Sequence, residues 1–438
     1  MAPSKTESRI KDVIAGITMA CVGVPQMIAY SELTGLPGFR GLKTAGPAMV
    51  AFAFSTGHPW ISQGVTSVSA VLTKSDLDGE KYVEDHGTEA YIQLVTFYTL
   101  LVGVASVLLA LLGVGKIAQN LPKPVSVGFS WGASLSILAS QMPDALFARG
   151  KSFAKEATKG LFPKLPAIMK GATGVMRLLW SVASPSLWGP YTVPMAGITL
   201  YILMKGKEYI PKALPKGSEV LIVTGVFTAV SGYLGYSEYG NVVGEIPTSE
   251  NSSGGFQLPF EIRTEFPWDQ AYVLAPKAVL FAIIKFSATV SICSAFEKEG
   301  MPWNANRELM AQGVSCLAAG ATGSPPVGAS LSRSEVQKML GASSNLAGLT
   351  NGLVLVFMLP LAVLLTETPK AVLASIVIAS VIKKVLFPKN LMALPGLDFV
   401  AGWFTALAVA LCDPTVGIVG GTILALSFNA LSGKKKVA

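Results

Sequence analysis

The chain has 438 residues, 51% of them apolar and only 14% charged, against roughly 25% charged in an ordinary soluble protein. Its net charge is +8, from 34 Lys and Arg against 26 Asp and Glu. Apolar stretches long enough to enter a bilayer recur from end to end, which excludes a cytosolic enzyme, a disordered scaffold and a single-span receptor.

The first twelve residues are polar and carry Lys5, Arg9 and Lys11. The apolar run 13–30 follows, interrupted at Pro25-Gln26. No small-residue cleavage site stands out in it, so it reads as a transmembrane helix and not as a signal peptide. Further spans or half-spans are predicted near 44–57, 61–73, 90–113, 124–142, 183–204 and 219–235. A second set lies near 273–295, 306–322, 328–339, 344–366, 369–386, 395–412 and 413–432. Fourteen segments leave about 31 residues for each span plus its loop.

The expected organisation is a cytoplasmic segment 1–12, a first set of seven segments over 13–235 and an extracytoplasmic loop 236–272. A second set of seven over 273–432 and a basic cytoplasmic tail 433–438 complete it. An even count places both termini on the cytoplasmic side, with Lys205, Lys207, Lys212, Lys216, Lys383, Lys384 and Lys389, as the positive-inside rule prefers. Residues 149–170 disagree, because this basic stretch falls outside by the count. An amphipathic helix on the membrane surface explains it better than a miscounted span. The sequon Asn251-Ser252-Ser253 is a candidate glycosylation site.

Basic residues clustered between apolar segments point to membrane orientation and away from nucleic acid. Cys21, Cys293, Cys316 and Cys412 lie in or at the ends of apolar stretches without a CxxC pair, and read as buried inert thiols. The two histidines, His58 and His86, belong to no metal-ligand cluster, and no cofactor is expected. No nucleophile–base constellation suggests an enzyme.

Two segments are alike. Thr56-Gly57-His58-Pro59 leads into the short run Ser62 to Ser69, and Thr322-Gly323-Ser324-Pro325 leads into Gly328 to Ser334. Both are too short to span, follow a Gly/Pro break, and hold the third position in their set of seven. Paired interrupted segments of this kind mark a transporter site where half-helices meet at the midplane; tight helix packing through Gly and Ser is the alternative.

Charge within spans is rare, so each case is informative. Arg333 lies one turn into the second short segment, beside Ser330, Ser332 and Ser334. Two helix N-termini, serine hydroxyls and a guanidinium make an anion site and repel a cation. Pairing with a carboxylate, or snorkelling, is the alternative for Arg333. Lys285 either adds positive potential to the same cavity or reaches a helix end. Glu32 is either a proton-coupling group or a residue of the membrane edge. Gln26, beside the turn that Pro25 opens, suits either ligand contact or helix-to-helix bonding.

These segments resemble the SulP (sulfate permease) family of anion transporters. The resemblance rests on Asp12 to Gly16 with Val24-Pro25-Gln26-Met27-Ile28-Ala29-Tyr30 and Gly35-Leu36-Pro37. It continues in Leu121-Pro122-Lys123-Pro124-Val125, Ser140-Gln141-Met142-Pro143 and Val243-Gly244-Glu245-Ile246-Pro247. Asn306-Arg307-Glu308-Leu309, Ser330 to Ser334, Leu346 to Leu349 and Pro369 to Leu373 are its most specific parts.

The resemblance implies an all-α polytopic membrane protein of fourteen transmembrane segments in two inverted seven-segment repeats, divided into core and gate domains. It implies an anion site between the third and tenth segments, carried by Gln26, Tyr30, Thr66, Ser67, Ser332 and Arg333. It also implies elevator-like movement and a homodimer. Three departures stand out. Val65-Thr66 replaces a usual Pro and bulky residue, Ala288 stands where many relatives have glutamate, and Lys285 replaces a usual glycine and could add an anion contact. The family's cytoplasmic STAS domain has no room after Gly433.

The expected function is therefore secondary transport or exchange of a small inorganic anion, such as sulfate, bicarbonate or chloride, across the plasma membrane. A passive anion channel, or a non-transporting motor or scaffold on the same fold, is the alternative.

Overall fold

The computed structural model describes residues 5–118, 122–162, 169–209, 218–244, 266–297, 300–357, 364–412 and 414–431. Asn251, most of the 236–272 loop and the basic tail lie outside these residues. From the amino terminus run α1 (Lys5–Thr34), α2 (Gly38–Ser55), β1 (Gln63–Gly64), α3 (Ser67–Asp76), α4 (Gly79–His86), α5 (Thr88–Leu111) and α6 (Gly115–Ala118). Next come α7 (Lys123–Leu146), α8 (Gly150–Ala157), α9 (Lys170–Ala183), α10 (Thr192–Tyr209) and α11 (Ser218–Leu234). The remainder holds α12 (Ala271–Glu297), α13 (Ala305–Ala321), β2 (Gly328–Ala329), α14 (Leu331–Met339) and α15 (Leu346–Phe357). It ends in α16 (Lys370–Leu386), α17 (Lys389–Met392), α18 (Gly396–Leu411) and α19 (Pro414–Leu431).

The fold is all-helical apart from the two-residue strands and one isolated bridge among the described residues. A helix lies at each apolar stretch picked out in the sequence. Among the described residues, three helical stretches are long and apolar enough to cross a bilayer: Thr88–Leu111, Trp268–Val290 and Lys370–Met392. Thr6–Cys21 and Gly23–Thr34 make a fourth if taken together, bent by 41°. The bend falls where Pro25 cannot donate to the preceding turn.

The chain divides into two compact units, each drawn from both halves of the sequence. Unit 1 comprises Met1–Gln119, Lys205–Gly232 and Val243–Thr368; unit 2 comprises Asn120–Met204, Tyr233–Val242 and Pro369–Ala438. Within unit 1, α5 packs on α13 and α15 packs on both α1 and α2. These contacts depend on small residues. A Cβ on Gly46 of α2 would stand 2.9 Å from the Gly352 carbonyl oxygen of α15, and one on Gly352 would stand 2.8 Å from Val50 N. Lipid offers no hydrophobic drive for one apolar helix to leave it for another, so such close backbone approach supplies the attraction. Asp12, 1% exposed, accepts from Ser343 N at 2.6 Å and so holds the chain just before α15.

Within unit 2, α7 packs against α16 and α18, with Trp131 and Trp403 edge to face at 5.3 Å. The basic stretch 149–170 begins as α8, only eight residues long. Lys151 Nζ pairs with Asp144 Oδ2 of α7 at 2.9 Å, and Phe153 packs on Phe147. Helix α9 was not expected from the sequence. It has only fourteen residues, with Gly171 and Gly174 in its first turns and Arg177 in its middle, so no spanning pattern announced it.

Candidate functional site

All seven residues expected at the site belong to unit 1. Its centre is the antiparallel ladder in which Gln63 pairs with Ala329 and Gly64 with Gly328. α3 leaves one end of this ladder and α14 leaves the other. Two helix N-termini therefore flank it, each with a turn of backbone N–H groups lacking helical partners.

Thr66 is the N-cap of α3. Its Oγ1 accepts from Ser69 N at 3.2 Å, and Ser69 Oγ accepts from Thr66 N at 3.0 Å, a reciprocal capping box. Ser67 opens the helix and is half-buried. On the other side Ser330 is the N-cap of α14 but makes no side-chain cap bond. The start of α14 is tied instead to the chain before α3. Ser330 N donates to the Ser62 carbonyl at 3.1 Å, and Ser62 N donates to Ser334 Oγ at 3.0 Å. Gln337 Nε2 donates to the Pro59 carbonyl at 2.7 Å.

Arg333 is 2% exposed and donates from Nη1 to the Val65 carbonyl at 3.1 Å. Its Nε and Nη2 are buried without a hydrogen-bond partner among the described residues. Buried donors of that kind are costly unless a ligand or water meets them. Lys285, also 2% exposed, enters from α12 and donates from Nζ to Thr66 Oγ1 at 2.7 Å. Its Nζ therefore sits at the N-terminus of α3, beside the paired strands. It is close enough to Arg333 for the two charges to act on each other.

Tyr30 of α1 is 6% exposed and within electrostatic reach of Arg333. Gln26, one turn earlier on the same helix face, is half-buried, and no hydrogen bond to Arg333 or Lys285 is described for it. Ser332 lies in the first turn of α14; its side chain lies outside the described residues.

The sequence reading missed two kinds of residue. Glu308 of α13 is a fully buried acid that was noticed only as part of a motif. It accepts from Thr56 Oγ1 at 2.6 Å and from Gly57 N at 2.8 Å, which fixes the turn leading into β1. Arg307 Nη2 and Asn345 Nδ2 both donate to the Thr56 carbonyl, at 3.1 and 2.9 Å. Gly64 and Gly328 were the second omission. A Cβ on Gly328 would overlap Cε of Lys285, and one on Gly64, at φ 153°, would stand 3.1 Å from Arg333 Nη2. A glycine under each basic side chain is the signal, and it is readable only once the strands are paired. Among the described residues, no three His, Cys, Asp or Glu side chains gather as they would around a metal ion, and all four cysteines are free.

A ladder flanked by two helix starts and overlain by two buried basic side chains is the candidate site of this helical protein. Solved structures share the fold. The TM-score is 0.80 to the murine Solute Carrier 26 family member A9 anion transporter in the inward-facing state, at 19% identity over 98% of this chain and 69% of that one. It is 0.72 to the transmembrane domain of a cyanobacterium bicarbonate transporter, at 19% identity over 95% of this chain and 97% of that one. In sequence the chain is 26% identical over 435 residues to Solute carrier family 26 member 6 of Homo sapiens, which covers 95% of this chain. It spans about half of that relative's length, 54%. Residues 10–405 match the Sulfate permease family, and the chain belongs to that family. It is accordingly an integral membrane protein.

Proposed function

We propose that this protein moves small inorganic anions across the membrane as a secondary transporter or exchanger working by alternating access. The observation that carries the reading is Arg333: a buried guanidinium with two donors left over, set among two helix N-termini. Gln26, Tyr30, Thr66, Ser67, Lys285, Ser332 and Arg333 line the proposed path of the anion. The likeness to one structure described as an anion transporter and another described as a bicarbonate transporter supports the same class. The fourteen crossing segments and their two inverted repeats belong to the proposal, supported by the matched pair α3 and α14, each preceded by a two-residue strand.

Radiolabelled anion uptake into proteoliposomes, run as a competition panel with and without a pH gradient, tests it. Arg333→Ala removes charged donors worth about 1.5–3 kcal/mol, so anion affinity or uptake should fall roughly 10- to 100-fold. Ser332→Ala should have a milder effect. Wild-type flux from the Arg333 variant would remove that residue from the site, and flux that neither saturates nor depends on a counter-ion would favour a passive channel.

A further inference from the structure

The two cations of the site are not equivalent, and their placement bears on which anion fits. Arg333 commits Nη1 to the Val65 carbonyl, which leaves Nε–H and Nη2–H without partners among the described residues. Those two N–H groups lie parallel on one edge of the guanidinium plane. That edge matches two oxygens bonded to a common centre and gives a halide no such pairing.

Lys285 adds charge at a controlled distance. Gly64 and Gly328 face each other across the ladder. Arg333 Nη2 lies over Gly64, and the end of the Lys285 stem lies over Gly328 so closely that only a hydrogen fits there. Paired strand residues stand about 4.5–5.5 Å apart at Cα, so the glycine pair seats the two cations side by side. Besides Arg333, the groups that act on Lys285 are Thr66, through its hydroxyl, and the Cys316 thiol. Those that act on Arg333 are the Val65 carbonyl and Tyr30. No carboxylate is among them. Two buried acids have other partners: Glu308 is taken up by Thr56 and Gly57 N, and Asp76, at the far end of α3, accepts from the Tyr98 hydroxyl.

Two buried basic side chains and two helix N-termini thus converge without a described counter-charge. A singly charged anion compensates one of the two buried basic groups, whereas a doubly charged one meets both. We propose that Lys285 is the charge-selecting residue of this site: with Arg333 it favours a divalent oxyanion over monovalent anions. This rests on the anion-transport reading above and adds to it which residue discriminates and on what property.

The test is competitive binding and uptake with three probes: sulfate, a divalent oxyanion; nitrate, a monovalent oxyanion; and chloride, a monovalent halide. In the wild-type protein sulfate should bind more tightly than nitrate or chloride. Lys285→Met keeps the stem and removes the charge, and Lys285→Gln also keeps a donor for Thr66 Oγ1 should the first variant fold poorly. Either should lower sulfate affinity at least about tenfold more than nitrate or chloride affinity, a change of 1.4 kcal/mol in the ratio. Arg333→Lys, which keeps charge but loses the paired edge, should weaken sulfate and nitrate more than chloride. Equal loss of all three anions in both Lys285 variants, or no change in the ratio, overturns the charge-selecting role and leaves the anion site standing. Absence of saturable binding of any probe by the wild-type protein overturns the transport reading together with this one.

Discussion

The starts of α3 and α14 come from similar sequence, yet they satisfy their backbones by opposite means. At α3, Thr66 and Ser69 cap the helix from within, and the ammonium of Lys285 is received on the Thr66 hydroxyl. At α14, Ser330 supplies no cap bond, and the segment is tied to its counterpart through Ser334, Gln337 and Arg333. A guanidinium in the first turn also opposes the positive end of that helix's dipole, so α14 has the less favourable helix start. The pair divides the work. α3 offers hydroxyls and a self-contained helix start, while α14 contributes the charge and depends on α3 for its hold.

This asymmetry can be broken at graded points. Among changes to the glycines and helix starts, Gly328→Ala is expected to have the largest effect on anion binding. The new methyl displaces the end of Lys285 from its seat over the ladder, and sulfate affinity should fall about tenfold, as for loss of the charge itself. A binding isotherm identical to the wild type would show that Lys285 does not need that seat. Ser334→Ala comes next. It leaves Ser62 N buried without its acceptor, which should cost about 1–3 kcal/mol and lower the melting temperature in detergent. Thr66→Ala removes an N-cap worth about 1 kcal/mol, again read as a melting shift. Ser330→Ala, at the equivalent position of α14, removes no side-chain cap bond and should shift the melting temperature less than Thr66→Ala does. Equal shifts for these last two would erase the distinction between a self-capped and a partner-held helix.

The Gly/Pro breaks before Ser62 and Gly328 made both short segments readable, because a helix cannot run through them. Arg333 and Lys285 were readable because charge is so scarce in the apolar stretches around them. The bend at Pro25 was equally plain. Gln26 was a different case. Its polar side chain beside a broken turn suits ligand contact and helix-to-helix bonding alike, and it is half-buried in the fold. Glu308 escaped notice because its role is to hold Thr56 and Gly57, 252 and 251 residues away in the chain. Helix α9 escaped because its glycines and Arg177 break the apolar pattern that the spanning helices share.

What the sequence determined by itself was the membrane character, the positions of the strongly apolar helices and the two basic residues buried beside the paired strands. Those follow from solvent: a segment poor in polar groups partitions into lipid, and a charge placed there stands out. Only the tertiary structure decided that Gly64 faces Gly328, that Lys285 reaches Thr66 across 219 residues, and that Arg333 keeps one edge unbonded. Register and close approach arise from contacts between distant parts of the chain, and no local pattern encodes them.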